Sequence, residues 1–288
     1  MSVAVCLLNY NSFEDTIECV DSLIAQKGVA FSIIIVDNCS TNNSVLEIEK
    51  YLEKKTFYST VVWSENKIFD INATSNIYLI KSLKNGGFSA GNNIAIQFVQ
   101  KHLSSDLILL LNNDTVVASN FLFIMNTEFK RIQKYSKKKV ALGTMEVNYF
   151  TKKKTHSGFQ YLNLFCGYVF NIPIIPSFKY ICGACIMLDN NAPLLDERYF
   201  LYFDDVEYAK TLKQKGYKLY KTELTYYEHK LSASTSKISN LTDVYFQSMW
   251  RFFKRNYHFF VPLLYFARYV INIMLKQSKM NYIMKKYY

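Results

Sequence analysis

The sequence predicts an α/β fold with a mostly parallel central sheet flanked by helices. Strand-like and helix-like segments alternate through the first 145 residues, a pattern typical of parallel sheets covered on both faces. Two of the apolar segments, residues 31–37 (FSIIIVD) and 109–115 (LLLNNDT), run into aspartates. Because ligands bind beyond the carboxyl ends of strands in open α/β sheets, the sequence predicts a carboxylate-bearing site there. A metal–diphosphate complex is the ligand that such a site suits.

The elements of the first half follow from local patterns. Ser12 and Asp15 have the spacing of a capping box, and apolar residues recur at helical spacing after them. We expect strands at residues 3–8, 31–37, 60–64, 77–81 and 107–111, and helices at 12–26, 44–54, 94–103 and 120–134. A polar insertion occupies residues 65–76.

The second half is less regular. Residues 140–190 are mixed and strand-like, 206–215 form a helix ended by Gly216, and 217–220 form a strand. We place His229 in a loop after that strand. No linker composition interrupts the chain, so we expect one domain with a C-terminal helical appendage.

Charge and aromatic content restrict the partners. Against 23 acidic residues the 288-residue chain has 34 Lys and Arg, a net charge of +11, and aromatics make up 16%. A basic surface favours nucleic acid, anionic lipid or a phosphorylated substrate, although a plain solvated surface explains part of it. No nucleic-acid recognition motif accompanies the lysines, so we expect no nucleic-acid partner.

Cysteine usage and the first residues indicate a cytosolic protein. The six cysteines lie mostly in apolar segments, as reduced buried thiols do. Cys182 and Cys185 form a CxxC, but no second Cys or His pair lies nearby, which argues against zinc. The chain enters a strand at once, so we expect no signal peptide.

Two further segments and one histidine have residue types that suit binding or catalysis, although each also has a purely structural explanation. Residues 85–93 (NGGFSAGNN) suit phosphate or ribose at a turn and helix start, or are a plain tight turn. Residues 203–207 (FDDVE) offer a general base, Asp205 being the stronger candidate, or complement a helix dipole. His229 is a metal ligand or a structural histidine.

In their order, these motifs resemble those of bacterial inverting glycosyltransferases of family 2, which have the Rossmann-like GT-A fold. The pattern is most similar to that of rhamnosyltransferase-like enzymes that build surface polysaccharides, such as capsule. The resemblance covers about residues 3–235 and rests on seven segments: LLNYN (7–11), VDNCST (36–41), NGGFSAGNN (85–93), LLLNNDT (109–115), CGACIML (182–188), LDERYFLYFDDVEYAKTLKQKGYKLY (195–220) and EHKLSAST (228–235).

The resemblance implies roles for particular residues. Asp205 is the expected catalytic base, and Asp204 stands where relatives have a glutamate. Asp114, in a DxD-type motif whose first position is Asn112, is expected to bind Mg²⁺ or Mn²⁺, with His229 as a further ligand. The residues expected to bind the nucleotide-sugar donor are Asn9, Asn11, Asp37, Asn85, Gly87, Asn92 and Asn112.

The same resemblance implies the substrates. The favoured donor is dTDP-rhamnose, with UDP-hexoses (galactose, glucose or N-acetylhexosamine) as the alternative, and the acceptor is a lipid-linked saccharide. Residues 1–115 would form the nucleotide-sugar-binding half and 116–240 the acceptor and catalytic half. From a different class, a non-catalytic assembly partner or a basic nucleic-acid-binding protein stays open as an alternative.

Residues 241–288 form a basic amphipathic region. Residues 259–275 span 17 positions and include Pro262, Arg268 and Asn272, whereas a membrane span needs about 20 apolar residues. Two basic stripes are expected, one with Arg251, Lys254, Arg255 and His258, the other with Arg268, Asn272, Lys276 and Lys279. We expect this region to lie on the inner face of the plasma membrane; packing against the enzyme's own core is the alternative.

Overall fold

The computed structural model of the chain describes residues 1–55, 58–62, 76–230 and 241–274. Several sequence predictions lie outside these residues: the end of the strand predicted at 60–64, nearly all of the polar insertion at 65–76, the last residues of the 228–235 motif, and Lys276 and Lys279.

The strands of the described residues form two sheets. They are β1 (Val3–Asn9), β2 (Phe31–Asp37), β3 (Tyr58–Val62), β4 (Ile77–Lys81), β5 (Leu107–Asn112), β6 (Thr115–Val117), β7 (Lys139–Asn148), β8 (Lys154–His156), β9 (Gln160–Asn163), β10 (Val169–Phe170), β11 (Ser177–Tyr180), β12 (Cys185–Asp189) and β13 (Tyr217–His229). The helices are α1 (Phe13–Ile24), α2 (Ser44–Glu53), α3 (Gly87–His102), α4 (Phe121–Tyr135), α5 (Asp204–Gln214), α6 (Leu241–Asn256) and α7 (Val261–Met274), with a 3₁₀ turn (His258–Phe260) before α7.

The large sheet confirms the predicted α/β class. Its order is β3-β4-β2-β1-β5-β12-β7-β13-β6, with β8 beside β7, and β9 to β11 form the smaller sheet. The run from β3 to β5 is parallel, whereas β12 is antiparallel to both of its neighbours. Leu8 pairs with Asn112 and Asn9 with Asp37, so the polar ends of β1, β2 and β5 meet at one edge.

The sheet is buried on both faces, which explains why its strands are continuously apolar. Along β1, Ala4 and Cys6 pack into one core with α3 and α5, while Val3, Val5 and Leu7 pack into the other with α1 and α4. Burying each aliphatic side chain of this kind stabilises the fold by roughly 1.5–3 kcal/mol.

Three local predictions were wrong in detail. Strand β13 runs from residue 217 to 229, so His229 ends a strand and does not lie in a loop, because pairing with β7 and β6 continues past the bulge after Thr222. Helix α3 begins at Gly87, earlier than residue 94. The Ser12 hydroxyl donates to the Asp15 carboxylate and makes no side-chain cap to α1.

The first C-terminal helix packs on the rest of the protein. Helix α6 buries Phe246, Met249, Phe252 and Phe253 in the core that also holds Phe203. The expectation that this helix offers its apolar face to a membrane was therefore wrong, and the alternative of core packing applies to it. Among the described residues, no helix has both the length and the apolar character needed to cross a bilayer.

Candidate active site

A cavity of about 760 Å³ opens at the sheet edge where β1, β2 and β5 end. Its walls come from the loop after β1, the start of α3, the turn between β5 and β6, the start of β12 and residues 200–206. The smaller sheet contributes Gln160, Val169 and Tyr180, and Asn38 after β2, His229 of β13 and Tyr245 of α6 also line the cavity. Elements far apart in the chain thus enclose one space, as expected for a binding site at the carboxyl ends of strands.

Most of the sequence-predicted site residues line this cavity, and three do not. Those that line it are Asn11, Asn85, Gly87, Asn112, Asp114, Asp204, Asp205 and His229. Asn9, Asp37 and Asn92 are outside the lining and are buried. The Asn92 amide donates to the Phe88 carbonyl of its own helix at 3.0 Å.

Asp37 is engaged within the protein. Its carboxylate accepts hydrogen bonds from the Asn9 amide at 2.7 Å and from the Ser40 hydroxyl at 2.6 Å, and the Ser40 backbone N–H adds a third at 2.9 Å. Only 1% of Asp37 is exposed. In this arrangement Asp37 holds the loops after β1 and β2 together, and its contact with a donor stays a prediction.

Asn38 lines the cavity and was missed by the sequence analysis. Its amide donates to the Asn85 side-chain oxygen at 2.9 Å and to the Gly87 carbonyl at 3.1 Å. Asn38 therefore joins the end of β2 to the glycine-rich turn. Asn38 directly follows Asp37 in the sequence, and this position was the signal that could have identified it as a site residue.

Gly87 permits a close approach that no other residue would allow. Its φ of +81° is left-handed, and an added Cβ would lie 2.7 Å from the Phe200 Cα. The next residue, Phe88, donates its backbone N–H to the Phe200 carbonyl at 2.7 Å. This contact brings the start of α3 against the segment that leads to Asp204.

We expect Gly87→Ala to destabilise the protein by about 1–3 kcal/mol more than Gly216→Ala does, because a clash is added to the same backbone strain. Gly216 is a matched control: its φ is +85°, with nothing within 4 Å of an added Cβ, so its substitution costs about 1–2 kcal/mol of strain alone. Urea unfolding of the two variants measures the difference. Equal free energies of unfolding would contradict the close contact.

Asp114 and His229 lie side by side in the cavity. The pairing of Thr115 with His229 between β6 and β13 sets the His229 Nε2 atom 3.1 Å from the Asp114 Oδ1 atom. On the other side of the ring, Nδ1 is 2.7 Å from the Glu146 Oε2 atom. The imidazole is thus held between two carboxylates, of which Asp114 faces the cavity.

These contacts change both protonation equilibria. Burial alone would lower the pKa of His229, but the hydrogen bonds with Asp114 and Glu146 outweigh it and raise the pKa to about 9. Burial alone would raise the pKa of Glu146, but the neighbouring His156 and the hydrogen bond with His229 hold that pKa well below its ordinary value. Glu146 was not predicted from the sequence, because it lies 83 residues from His229 with no motif around it.

Asp204 and Asp205 open helix α5 beside the cavity. The Asp205 carboxylate accepts the Val206 N–H at 2.8 Å and the Gly183 N–H at 3.3 Å. Burial raises the pKa of Asp204, and the neighbouring Asp205 charge raises it further. Burial also raises the pKa of Asp205, while these two N–H groups partly offset the effect. A carboxylate of raised pKa in a cavity is suited to accept a proton near neutral pH.

The chain approaches this pair through strained backbone. Tyr202 and Phe203 have φ values of 63° and 58°, in the left-handed region that side chains other than glycine rarely adopt. Such strain costs on the order of 1–3 kcal/mol per residue and persists mainly at functional sites. The strained turn directs the start of α5 toward the cavity.

The lining has an unusual charge balance for a site that would take a diphosphate. It contains the carboxylates of Asp114, Asp204 and Asp205, and among the described lining residues there is no Lys or Arg. An anionic ligand would be repelled unless a cation accompanied it.

The donor atoms at Asp114 and His229 fit a hard divalent cation. Two ligands at right angles on Mg²⁺, each at about 2.1 Å, are about 3 Å apart, close to the 3.1 Å between the Asp114 Oδ1 and His229 Nε2 atoms. The Asn112 side chain is also close, with its amide nitrogen 3.4 Å from His229 Nε2. The carboxylate oxygen suits Mg²⁺ or Mn²⁺, and a neutral imidazole nitrogen is a common metal ligand.

Comparisons with known proteins identify the family of the chain. The sequence profile described as Glycosyl transferase family 2 matches residues 4–169. Among solved structures, S. aureus TarS residues 1–349 in complex with UDP is 15% identical, with a TM-score of 0.48 over 88% of this chain and 72% of that one. A longer S. aureus TarS structure is 15% identical, with a TM-score of 0.49 over 88% and 44% of the two chains. No curated protein matches the sequence.

Proposed function

The chain belongs to glycosyl transferase family 2, and from this premise we propose that it transfers a sugar from a nucleotide-diphosphate donor to a saccharide hydroxyl with inversion. One observation carries the proposal: a single cavity contains both the Asp114–His229 pair, which suits a divalent cation, and the Asp204–Asp205 pair, which suits proton acceptance.

Asp114 and His229 would hold Mg²⁺ or Mn²⁺, with Asn112 beside them. When bound, the cation would offset the negative charge that builds on the departing nucleoside diphosphate. Asn11, Asn85 and the Gly87 backbone would line the donor, and Asn38 would keep the loops of that wall in place. Asn9 and Asp37, which are buried behind the lining residues, would support the part of the cavity that holds the nucleotide.

Asp205 would act as the general base. Its carboxylate would take the proton of the acceptor hydroxyl while that oxygen attacks the anomeric carbon and the bond from carbon to the diphosphate oxygen breaks. A single displacement inverts the anomeric centre and needs no covalent nucleophile. The backbone N–H groups of Gly183 and Val206 hold the carboxylate in place.

Asp205 is favoured over Asp204 as the base because it is the more accessible of the two. Asp204 is buried, with 9% of it exposed, whereas Asp205 is partly exposed beside the same cavity. A buried carboxyl that keeps its proton would limit like-charge repulsion at this helix start. That is the part we assign to Asp204.

The proposed substrates rest on the order of the sequence motifs. The donor would be dTDP-rhamnose, or in the alternative a UDP-hexose, and the acceptor a lipid-linked saccharide of a growing surface polysaccharide. The aromatic rings of Tyr10, Phe88 and Tyr245 in the cavity wall offer apolar contact, as ligand pockets with a few oriented polar groups commonly do.

A panel of nucleotide sugars tests the proposal. Purified protein would be incubated with Mg²⁺ or Mn²⁺, each donor in turn and saccharide acceptors, and release of nucleoside diphosphate would be measured. We expect one donor to be turned over. Binding of oligonucleotides with a steep salt dependence, together with no turnover of any donor, would instead favour a nucleic-acid-binding protein.

We further propose that the enzyme works at the inner face of the plasma membrane. Phe259 of the 3₁₀ turn and Leu263 and Phe266 of α7 are exposed, by 82%, 49% and 65%. The basic residues that precede them on α6 and the 3₁₀ turn, Arg251, Lys254, Arg255 and His258, are also exposed. Apolar and basic side chains in this combination suit an anionic lipid surface, where a lipid-linked acceptor would be found.

We expect the protein to co-sediment with vesicles that contain anionic lipid, and the double substitution Phe259→Ser and Phe266→Ser to weaken this binding at least about tenfold, since each buried phenylalanine contributes roughly 1.5–3 kcal/mol. Phe150→Ser is the matched control: Phe150 is 71% exposed but follows β7. Equal vesicle binding by the double variant and the wild type would contradict the assignment.

A further inference from the structure

A second carboxylate lies behind the histidine of the candidate metal site. Glu146 is on β7, is 4% exposed and does not line the cavity. It contacts His229 of the candidate metal site, whose Nδ1 atom is 2.7 Å from the Glu146 Oε2 atom. Burying a charged carboxylate costs free energy unless it is well paired. The partners of Glu146 therefore indicate its role in the protein.

Hydrogen-bond donors surround the Glu146 carboxylate. The Tyr227 hydroxyl donates to Oε2 at 3.0 Å and the Thr155 hydroxyl to Oε1 at 2.5 Å. The Nε2 atom of His156 lies 3.6 Å from the same Oε2 atom. An ionised carboxylate only accepts hydrogen bonds, so the proton between Glu146 and His229 belongs to His229 Nδ1.

This contact decides which ring nitrogen can bind a cation. With a cation in place the ring would be a neutral imidazole, and a proton on Nδ1 would leave the lone pair on Nε2, the atom beside the Asp114 carboxylate. We propose that Glu146 is a positioning residue, which holds the His229 ring with its proton on Nδ1 and thereby presents Nε2 to the divalent cation. This inference rests on the metal site of the proposed function.

The strand register makes the arrangement rigid. Tyr227 pairs with Glu146 across β13 and β7, and Glu146 pairs with His156 across β7 and β8. His229 follows Tyr227 by two residues, so both side chains lie on the same face of β13. A carboxylate fixed in a sheet centre limits rotation of the ring more firmly than a loop residue would.

The same carboxylate belongs to a group that resembles a separate metal site. Ligand atoms of Glu146, His156 and Cys182 lie within 4.8 Å of one another. However, the Gly158 N–H donates to His156 Nδ1 at 3.1 Å, so Nδ1 is an acceptor and Nε2, the atom that faces Glu146, carries a proton. A ligating histidine needs a free lone pair there and normally donates from its other nitrogen. Within this group it is Glu146 that contacts His229, and His156 does not present the lone pair that a metal ligand needs.

The test is the affinity of the protein for a divalent cation, measured in the absence of a sugar donor and without following turnover. We expect Glu146→Gln to weaken Mn²⁺ binding, measured by titration calorimetry or electron paramagnetic resonance, by about 10- to 100-fold, as loss of a residue that orients a ligand does. Glu128→Gln is the matched control: Glu128 is also buried, with 7% exposed, and is paired with Arg131 on α4. That variant should bind Mn²⁺ as the wild type does.

A second measurement needs no variant of Glu146. The chain has four histidines, so nitrogen-15 spectra of histidine-labelled protein are simple, and a His229→Asn spectrum identifies the His229 signals. With Mg²⁺ bound, the wild type should have His229 protonated on Nδ1. A proton on Nε2 would overturn the proposal even if Glu146→Gln failed to fold.

The remaining outcomes separate this proposal from the proposed function. If the wild type binds no Mn²⁺, or if Asp114→Ala binds it equally well, the metal site itself is refuted. If Asp114→Ala loses affinity and Glu146→Gln does not, only the role of Glu146 is refuted. Cys182→Ser should leave Mn²⁺ affinity unchanged, and a large loss in that variant would overturn the proposal in favour of a metal held by Cys182.

Discussion

Asp205→Asn is expected to reduce sugar transfer by about 10²- to 10⁴-fold, the contribution that a general base usually makes. Asparagine has nearly the same shape, and its side-chain oxygen can still accept an N–H from Val206 or Gly183, but it cannot take a proton. Donor affinity should therefore change little while kcat falls. The measurement is steady-state release of nucleoside diphosphate in the presence of acceptor, with donor affinity determined separately by calorimetry.

Asp204→Asn is the matched control. Burial and the neighbouring Asp205 raise the pKa of Asp204 to about 8, so near pH 7 Asp204 holds its proton and an asparagine imitates it. We expect this variant to keep kcat within a few-fold of the wild type. The opposite result, with Asp204→Asn inactive and Asp205→Asn active, would exchange the two roles.

The pH dependence follows from the same pair. Burial raises the pKa of Asp205 to about 6, and a base must be deprotonated to act. Turnover should therefore rise about tenfold per pH unit below 6 and level off above it. Asp204→Asn should keep this limb near pH 6, because it replaces a protonated carboxyl with a neutral amide. A flat profile between pH 5 and 7 would argue against a buried aspartate as the base.

Removal of the divalent cation is expected to abolish transfer. The described lining residues supply no Lys or Arg to balance a diphosphate, and they add three carboxylates. Charge stabilisation by a metal is worth several kcal/mol, which corresponds to a loss of at least about 100-fold. EDTA should produce this loss, added Mg²⁺ or Mn²⁺ should reverse it, and Asp114→Ala should show the loss at all metal concentrations.

The control for this prediction is Asp189→Ala. Asp189 lies at the far end of β12, where it pairs with Leu107 at the start of β5, and its carboxylate accepts a hydrogen bond from the Tyr217 hydroxyl at 3.0 Å. Its removal should leave the metal dependence of turnover unchanged. Full activity of the wild type in EDTA would refute a metal-dependent mechanism and leave Asp114 and His229 as structural residues.

The elements around the edge where β1, β2 and β5 end could be predicted because their signals are local. Strand β2 was predicted with its observed ends, and β1 and β5 to within one residue of theirs, because a continuous apolar run ended by a polar residue is visible within seven positions. Parallel strands then bring Asn112 and Asp114 to the edge where β1 and β2 end. The cavity also contains Asp204, Asp205 and His229. These residues were proposed from their sequence motifs, which give no distances between the side chains.

Such local patterns could not predict the pairing of strands that lie far apart in the chain. The length of β13 depends on partners in β6 and β7, so His229 was placed in a loop. Apolar and basic spacing in the C-terminal region was compatible with either a lipid surface or a protein core, and only tertiary packing shows that α6 belongs to the core that holds Phe203. Asp37 ends a strand as predicted, yet Asn9 and Ser40 cover it.

The sequence by itself therefore determined the fold class, the polar ends of the parallel strands and the set of carboxylates, because periodicity and strand ends are properties of a few consecutive residues. Tertiary structure alone decided that Glu146 lies behind His229, that Asn38 ties the glycine-rich turn to β2, and that α6 is part of the core. The physical reason is that these contacts depend on strand register and packing between residues far apart in the chain, for which no local pattern exists.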